Sequence, residues 1–275
     1  MRYNLADLHI HSHCSDGFQS PTAVVEEACN AGLVAVSLTD HDTVAGVDEA
    51  VAAGERLGVR VIPGIEFSAH MDEREVHILA YFLDRRDARL LEHTERLREY
   101  RRARGVAIVE RLNTLGVQVT IDDVLRKANG GLLGRPHIAA AMVERGAVAN
   151  KELAFDLYIG DRKPADVPKP RIPYDALISM VHRLGGVTVL AHPGKSTSEA
   201  VVAQLAAAGM DGIEVFHPAH QPPQIEHYTE MAERYNLLPS GGSDSHGEPE
   251  GARIGDYGIG TEAVDALSAR AAAHV

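Results

Sequence analysis

Positive charge is scarce in this chain. Lys and Arg total 27 against 39 Asp and Glu, a formal net charge of −12. The field of the whole molecule therefore repels nucleic acid and phosphate, and an anionic substrate needs local cations to reverse it. Cysteine is nearly absent. Two thiols, Cys14 and Cys29, make no disulfide framework and point to a reducing compartment. No apolar run approaches the roughly 18–20 residues that span a bilayer, so no membrane partner is expected. The opening MRYNLADLHIH lacks the apolar region of a signal peptide, and a cytoplasmic location is expected. Internal repeats and low-complexity linkers are also missing.

Against these absences stand 275 residues, 45% of them hydrophobic, enough to bury one large α/β domain or a domain carrying an insertion. Histidine is abundant, at 15 residues, and its placement decides the reading. Ala6 to His11 reads as a strand. Ser20-Pro21 caps a helix through about Ala31, with Ser at the N-cap, Pro at the first helical position and Gly32 at the exit. Strand 33–38, a helix from about Val44 to Leu57, strand 59–63 and strand 76–82 follow. This alternation predicts a parallel α/β sheet or barrel. From about Asp87 to Asp166 the chain reads as mostly helical, with Leu90, Thr94, Leu97, Ile108, Leu112 and Leu115 on one face. Alternation resumes with helix 174–184, strand 186–191, a helix around 199–208, strand 212–216, a helix around 225–235 and strand 237–240. The last ten residues, ALSARAAAHV, read as a final helix.

His9 and His11 are two apart on a strand, so they share one face. Other strands end in Asp40-His41, in Glu66, in His192, and in Asp244 with His246. His77 lies instead near a strand start. In an α/β barrel the C-terminal strand ends converge on one face, where sites are built. Imidazole and carboxylate are the usual ligands of zinc, manganese and iron. Structural satisfaction explains any one of these residues but not the whole set. The set is too large for one ion; two or three ions sharing Glu66 would use it. Such ions typically clamp the oxygens of a phosphoryl transfer. They would also leave the pocket positive inside an acidic protein.

The motifs DLHIHSHCSDG, SLTDHD, GIEFS, EVHILAY, AHPGK and GSDSH, spanning Asp7 to His246, resemble the PHP (polymerase and histidinol phosphatase) family of metal-dependent phosphoesterases. The resemblance implies a distorted (β/α)7 barrel, formed by residues 1–86 and 167–275. Residues 87–166 would form a helical insertion covering the active site. It implies that His9, His11 and Asp244 hold a first divalent metal, with Glu66 bridging to a second completed by His77 and His192. Asp16, His41 and His246 resemble the ligands of a third. Asp40 stands where it could orient a ligand histidine. Manganese is the expected metal, with iron or zinc as alternatives. His13 has no family role, and Cys14 occupies a variable motif position.

LLGRPHIAAAMVERGAV and AFDLYIGDRKPADVP resemble the branch of 3′,5′-nucleoside bisphosphate phosphatases and a 5′→3′ exoribonuclease of short RNAs. Arg135 and His137 would grip a substrate phosphate, or simply cap a helix. Lys195, in AHPGK, could touch the same anion, although Arg is often expected there. Arg101 and Arg104 match an R-x-x-R of the insertion, or form a solvated basic face. His220 is a candidate proton donor or phosphate contact. The expected partner is a nucleotide or short oligoribonucleotide, and no obligate protein partner is evident. Histidinol-phosphate or another small phosphoester remains an alternative substrate. A polymerase accessory domain, an amidohydrolase and a non-catalytic metal- or nucleotide-binding protein are further rivals.

Overall fold

The computed structural model describes residues 5–194 and 197–274. Among the described residues, eight strands are β1 (Leu5–Ile10), β2 (Ala35–Leu38), β3 (Arg60–Met71), β4 (Arg74–Tyr81), β5 (Val187–Leu190), β6 (Gly212–Phe216), β7 (Leu238–Gly241) and β8 (Ile259–Gly260). They lie in the order β7-β6-β5-β4-β3-β2-β1-β8. The segment after β7 then returns to β1. His11 N–H donates to Ser245 O at 2.9 Å and Asp244 N–H donates to His9 O at 2.8 Å. The seven main strands thereby form a nearly closed, distorted barrel. Closure needs Gly242, because a Cβ there would stand 2.4 Å from the backbone nitrogen of His9.

The sheet is not all parallel. β3 runs on to Met71 and turns through Asp72-Glu73 into β4, which pairs antiparallel with both β3 and β5. A parallel return needs a crossover of a dozen or more residues, and this link has two. The hairpin explains the one histidine that sat at a strand start. With β4 reversed, the early residues of that strand lie at the same barrel end as the late residues of its neighbours. His77 stands opposite Ser68, two residues beyond Glu66.

The helices are α1 (Pro21–Asn30), α2 (Val47–Leu57), α3 (Ala88–Thr114), α4 (Ile121–Ala128), α5 (Arg135–Glu144), α6 (Lys151–Ala154), α7 (Tyr174–Arg183), α8 (Glu199–Ala207), α9 (Pro222–Tyr235) and α10 (Thr261–Ala272). A π-helical turn, Phe155–Ile159, continues α6. The Ser20 hydroxyl caps α1 by accepting from Ala23 N–H at 3.1 Å. Val24, Val25 and Ala28 of α1 then pack with Ile10, Val36 and Leu38 of the sheet. Helix α3 links two cores. Leu90 and Leu97 enter the barrel's outer core, and Ile108 and Leu112 enter a separate core with Val124, Ile138, Met142 and Ile159. Leu115 leaves the predicted stripe: it caps the helix and is exposed. At the other barrel end, Asp211 holds α7 through His182 at 2.8 Å and the turn after α10 through His274 at 3.0 Å. Among the described residues, no helix is long and apolar enough to cross a membrane.

Candidate active site

Five histidines surround one carboxylate. Glu66 Oε2 lies 3.2 Å from His9 Nε2, 3.2 Å from His11 Nε2 and 3.1 Å from His41 Nδ1. Its Oε1 lies 2.8 Å from His77 Nδ1 and 2.9 Å from His192 Nε2. Glu66, His9 and His11 are fully buried. Asp244 Oδ1 closes one side, 3.3 Å from His9 Nε2 and 3.1 Å from His11 Nε2. Asp16 closes another, with Oδ1 3.5 Å from His246 Nε2 and Oδ2 4.0 Å from His41 Nε2. All nine sequence-selected candidates for metal binding therefore converge. They fall into overlapping groups of donors: His9, His11 and Asp244; His9, Glu66 and His192; His41, Glu66 and His77; and His11, Asp16, His41 and His246.

His9, His77 and His192 can hydrogen-bond to Glu66, but not every close approach here is a hydrogen bond. Among the described residues, both ring nitrogens of His11, Asp16 Oδ1 and His41 Nδ1 are buried without a hydrogen-bond partner. Buried polar atoms left unpaired cost about 1–3 kcal/mol each. Clustering four of them, all nitrogen or carboxylate oxygen, fits a site made for divalent cations. The charge state agrees. Burial alone would raise the Glu66 carboxyl, but His41, His9 and His77 hold it well below its usual range. Asp244 and Asp16 are likewise held down by neighbouring histidines against burial. Burial opposes protonation of His11, yet Asp244 and Glu66 lift its pKa to about 10. His77 is lifted to about 9, mainly by Glu66, again against burial. Ions entering this site would have to displace protons.

The candidate ligand rings are aimed by further contacts. Glu214, fully buried on β6, accepts from His9 Nδ1–H at 3.1 Å and from His192 N–H at 2.6 Å. That leaves His9 Nε2 facing the cluster. Glu75 holds His77 Nε2 at 2.9 Å. His246 Nδ1–H donates to Asp244 O at 2.9 Å, which turns its Nε2 toward Asp16. His192 and Asp244 adopt positive φ, 26° and 50°, as does Asp42 at 51°. Such backbone strain is tolerated where surrounding structure fixes a functional side chain.

Asp40 braces a turn. It accepts from Ser12 N–H at 2.7 Å, Ser12 Oγ–H at 2.7 Å and Ser15 Oγ–H at 2.6 Å, fixing the loop that presents Asp16. Its hydrogen bonds go to that loop rather than to a ligand histidine. His13 turns its Nδ1 to Gln19 O at 3.2 Å. Burial pushes the Cys14 thiol up to about 11, far from a thiolate ligand.

A cleft of about 180 Å³ opens beside the cluster. Asp16, His41 and His77 line it together with Arg101, Arg104, Arg135, Phe155 and Lys169. Three arginines selected from the sequence thus meet at one place. Arg101 is ion-paired with Asp42, its Nε 2.9 Å from Oδ2. Arg104 donates to Val167 O at 2.6 Å, and burial, then Arg135, lowers its pKa to about 10. Arg135 reaches Asp161 at 2.7 Å. Ser68 Oγ lies in the same cleft, buried and without a partner among the described residues.

Two histidines behave otherwise. His137 accepts from Gly134 N–H at 3.0 Å through Nδ1, the capping role at the start of α5. His220 spends both nitrogens: Nδ1–H donates to Val215 O at 2.8 Å and Nε2 accepts from Gly194 N–H at 3.0 Å. Those bonds leave no proton for a leaving group, and His220 instead pins the loop after His192. Lys195 lies outside the described residues. Glu214, His217, Asp42, Glu75 and Lys169 were not singled out from sequence. The lone acid in the strand GIEVF was a readable signal for Glu214; Lys169 sits in a proline-flanked loop that carries none.

The profile of the PHP domain matches residues 7–193. The chain belongs to the PHP domain family. A 3′,5′-nucleoside bisphosphate phosphatase of Chromobacterium violaceum is 32% identical over 253 residues, 90% of this chain and 89% of that one. A 5′-3′ exoribonuclease of Haemophilus influenzae is 32% identical over 246 residues, 87% and 89% of the two chains. A phosphoribosyl 1,2-cyclic phosphate 1,2-diphosphodiesterase of Eggerthella lenta is 35% identical over 252 residues, 89% and 95%. A crystal structure of a candidate metal-dependent phosphoesterase from Bifidobacterium adolescentis superposes with a TM-score of 0.88. It is 33% identical and covers 96% of both chains. In this PHP chain the barrel supplies the acid–histidine cluster, and residues 101–169 supply the cations facing it.

Proposed function

We propose that this PHP protein is a metal-dependent phosphoesterase that hydrolyses nucleotide phosphate esters. The preferred substrate is a nucleoside 3′,5′-bisphosphate or a short 5′-phosphorylated RNA. The observation that carries this reading is the juxtaposition of Glu66 and its five histidines with Arg101, Arg104, Arg135 and Lys169 across one cleft. The acid–histidine cluster would hold two or three divalent ions, manganese first. When bound, such ions lower the pKa of water and neutralise charge on phosphoryl oxygens. His9, His11, Glu66 and Asp244 would hold one ion, Glu66, His77 and His192 a second, and Asp16, His41 and His246 a third. Asp40 would keep the Asp16 loop in place. Residues 87–166 act as a helical cap on the barrel of residues 1–86 and 167–275.

Arg101, Arg104, Arg135 and Lys169 answer the charge problem of an acidic protein, because they concentrate positive charge where an anion must enter. Guanidinium groups grip phosphate bidentately, which an ammonium does not. Arg135→Ala is therefore expected to lower kcat/KM for a nucleoside bisphosphate by about 2–4 kcal/mol, with metal content unchanged. Arg135→Lys recovers part of that. Steady-state kinetics on both variants at fixed metal concentration check this. Loss of activity together with metal loss or unfolding would make Arg135 structural.

Ser68 gives an independent prediction of opposite signs. Its buried hydroxyl has no partner among the described residues and lines the cleft. Ser68→Ala is expected to hold or raise Tm, because an unsatisfied group is removed, while kcat/KM falls about tenfold. Thermal melts and kinetics on the same preparation decide; a drop in Tm with unchanged kinetics removes Ser68 from substrate binding.

A second reading is favoured by the Eggerthella lenta relative, named for a base-free cyclic phosphate. The same cluster and cations suit a phosphoribosyl cyclic ester. The two readings part on whether a nucleobase contributes to binding.

A further inference from the structure

One side chain lining the cleft, Phe155, has no use in gripping phosphate. Phe155 lines the cleft with Arg135 and Pro136, and His41, His77 and Asp16 line the same cleft. The Arg135 guanidinium lies over the Phe155 ring, 5.7 Å from its centroid. Phe155 is only half-buried, although it begins the π-helical turn packed on the insertion's core. Such single π turns are frequent at functional sites. Here the turn is tightly closed: Gly160 N–H donates to Phe155 O at 2.9 Å, and a Cβ on Gly160 would come within 2.5 Å of that oxygen. The backbone carrying the ring is therefore well fixed. Arg104, Arg135 and Lys169 also line an adjoining cavity of about 460 Å³ that Phe155 does not reach, so a base on Phe155 leaves space there for the nucleotide's other phosphate.

We propose that Phe155, backed by Arg135, is the stacking wall for the substrate's nucleobase, and that it determines the preference for nucleotides over base-free phosphoesters. This rests on the nucleotide reading above and deepens it. Aromatic rings and guanidinium planes are the usual platforms for unstacked bases, and they tolerate any base because each has a π face. The cations and the metal-binding side fix the phosphate; the Phe155 wall then meets the flat apolar part of the same molecule. A phosphate ester without a base has nothing to place there.

The chain has no tryptophan, which makes a direct optical test possible. Phe155→Trp introduces a single indole at the wall. Saturable quenching of its fluorescence by adenosine 3′,5′-bisphosphate, but not by ribose 5-phosphate, is the expected result. Phe155→Leu keeps apolar volume and removes the stack. It should lower the ratio of kcat/KM for adenosine 3′,5′-bisphosphate to that for glycerol phosphate by about tenfold, equivalent to about 1.4 kcal/mol. The loss should reside in the nucleotide's KM, and Phe155→Trp should restore the ratio. An unchanged ratio in Phe155→Leu, or an indole blind to nucleotide at concentrations that saturate turnover, overturns the stacking wall. A wild-type protein that hydrolyses only base-free esters overturns the nucleotide reading as well, so the two failures are distinguishable.

Discussion

Glu66→Gln is expected to lower kcat on the order of 10³-fold and to reduce bound metal to at most one ion per chain. The substitution keeps shape and volume, so the fold has no steric reason to change. What it changes is charge and the direction of a hydrogen bond. Five histidine nitrogens now face the two carboxylate oxygens at 2.8–3.2 Å. An amide offers one acceptor and two N–H groups, and the latter would point at nitrogens that need to be ligands. Glu214→Gln provides the graded comparison. Glu214 touches His9 and the backbone of His192 but not the centre of the cluster. Losing a partner of that kind typically costs 10–100-fold in metal affinity or activity. Kinetics and elemental analysis on both variants test the ordering. Near-normal turnover by Glu66→Gln with full metal content would remove Glu66 from the centre of the chemistry.

Chelation is expected to lower Tm by about 10–20 °C. At free ion about a thousandfold above its Kd, each ion bound only by the folded state contributes about 4 kcal/mol. Two ions then give about 8 kcal/mol, and each kcal/mol is worth about 2 °C in a domain of this size. The stripped protein should also show a distinctive pH profile. His11 and His77 have folded pKa values raised to about 10 and about 9 from 6.5. Their contribution is fully present below about pH 6.5 and is lost as pH rises through 9 and 10. Glu66, Asp16 and Asp244 are depressed, so their contribution is present above the usual carboxylate range and lost on acidification. Ion-free protein should therefore lose stability from neutral to alkaline pH. Metal-loaded protein should not, because ions compete with protons for the same nitrogens. Melts from pH 6 to 10, with and without chelator, check both parts. Coincident curves would show that the cluster is stabilised without ions.

The sequence made the centre of this site readable because strand periodicity is rigid. His9 and His11 share a face at any tilt of the strand, and Asp40-His41 and Glu66 follow short β-branched, apolar stretches that read as buried strands. The hairpin between Glu66 and His77 was less visible. Periodicity marks a strand but not its direction, although the two-residue link at Asp72-Glu73 forbids a parallel return. Helix α3 was readable as one amphipathic stripe, yet its division between two cores was not, since that depends on where the helix leaves the barrel. The histidines show the same limit. His220 and His217 lie three residues apart after β6, and residue type alone cannot separate them. The difference is tertiary: His220 accepts from Gly194 N–H and donates to Val215 O, whereas His217 Nε2 lies 3.4 Å from Asp244 Oδ2. Lys169 enters the cleft by way of an irregular loop and an ion pair with Glu75, neither of which has a sequence period.

The most direct test is a single kinetic comparison with manganese content defined by elemental analysis. Phosphate or mononucleotide release would be measured from adenosine 3′,5′-bisphosphate, a short 5′-phosphorylated RNA, phosphoribosyl 1,2-cyclic phosphate and histidinol phosphate. The account predicts the highest kcat/KM on one of the two nucleotide substrates, in a preparation carrying at least two ions per chain. Full activity with at most one ion, or a higher kcat/KM on either base-free ester, would contradict it.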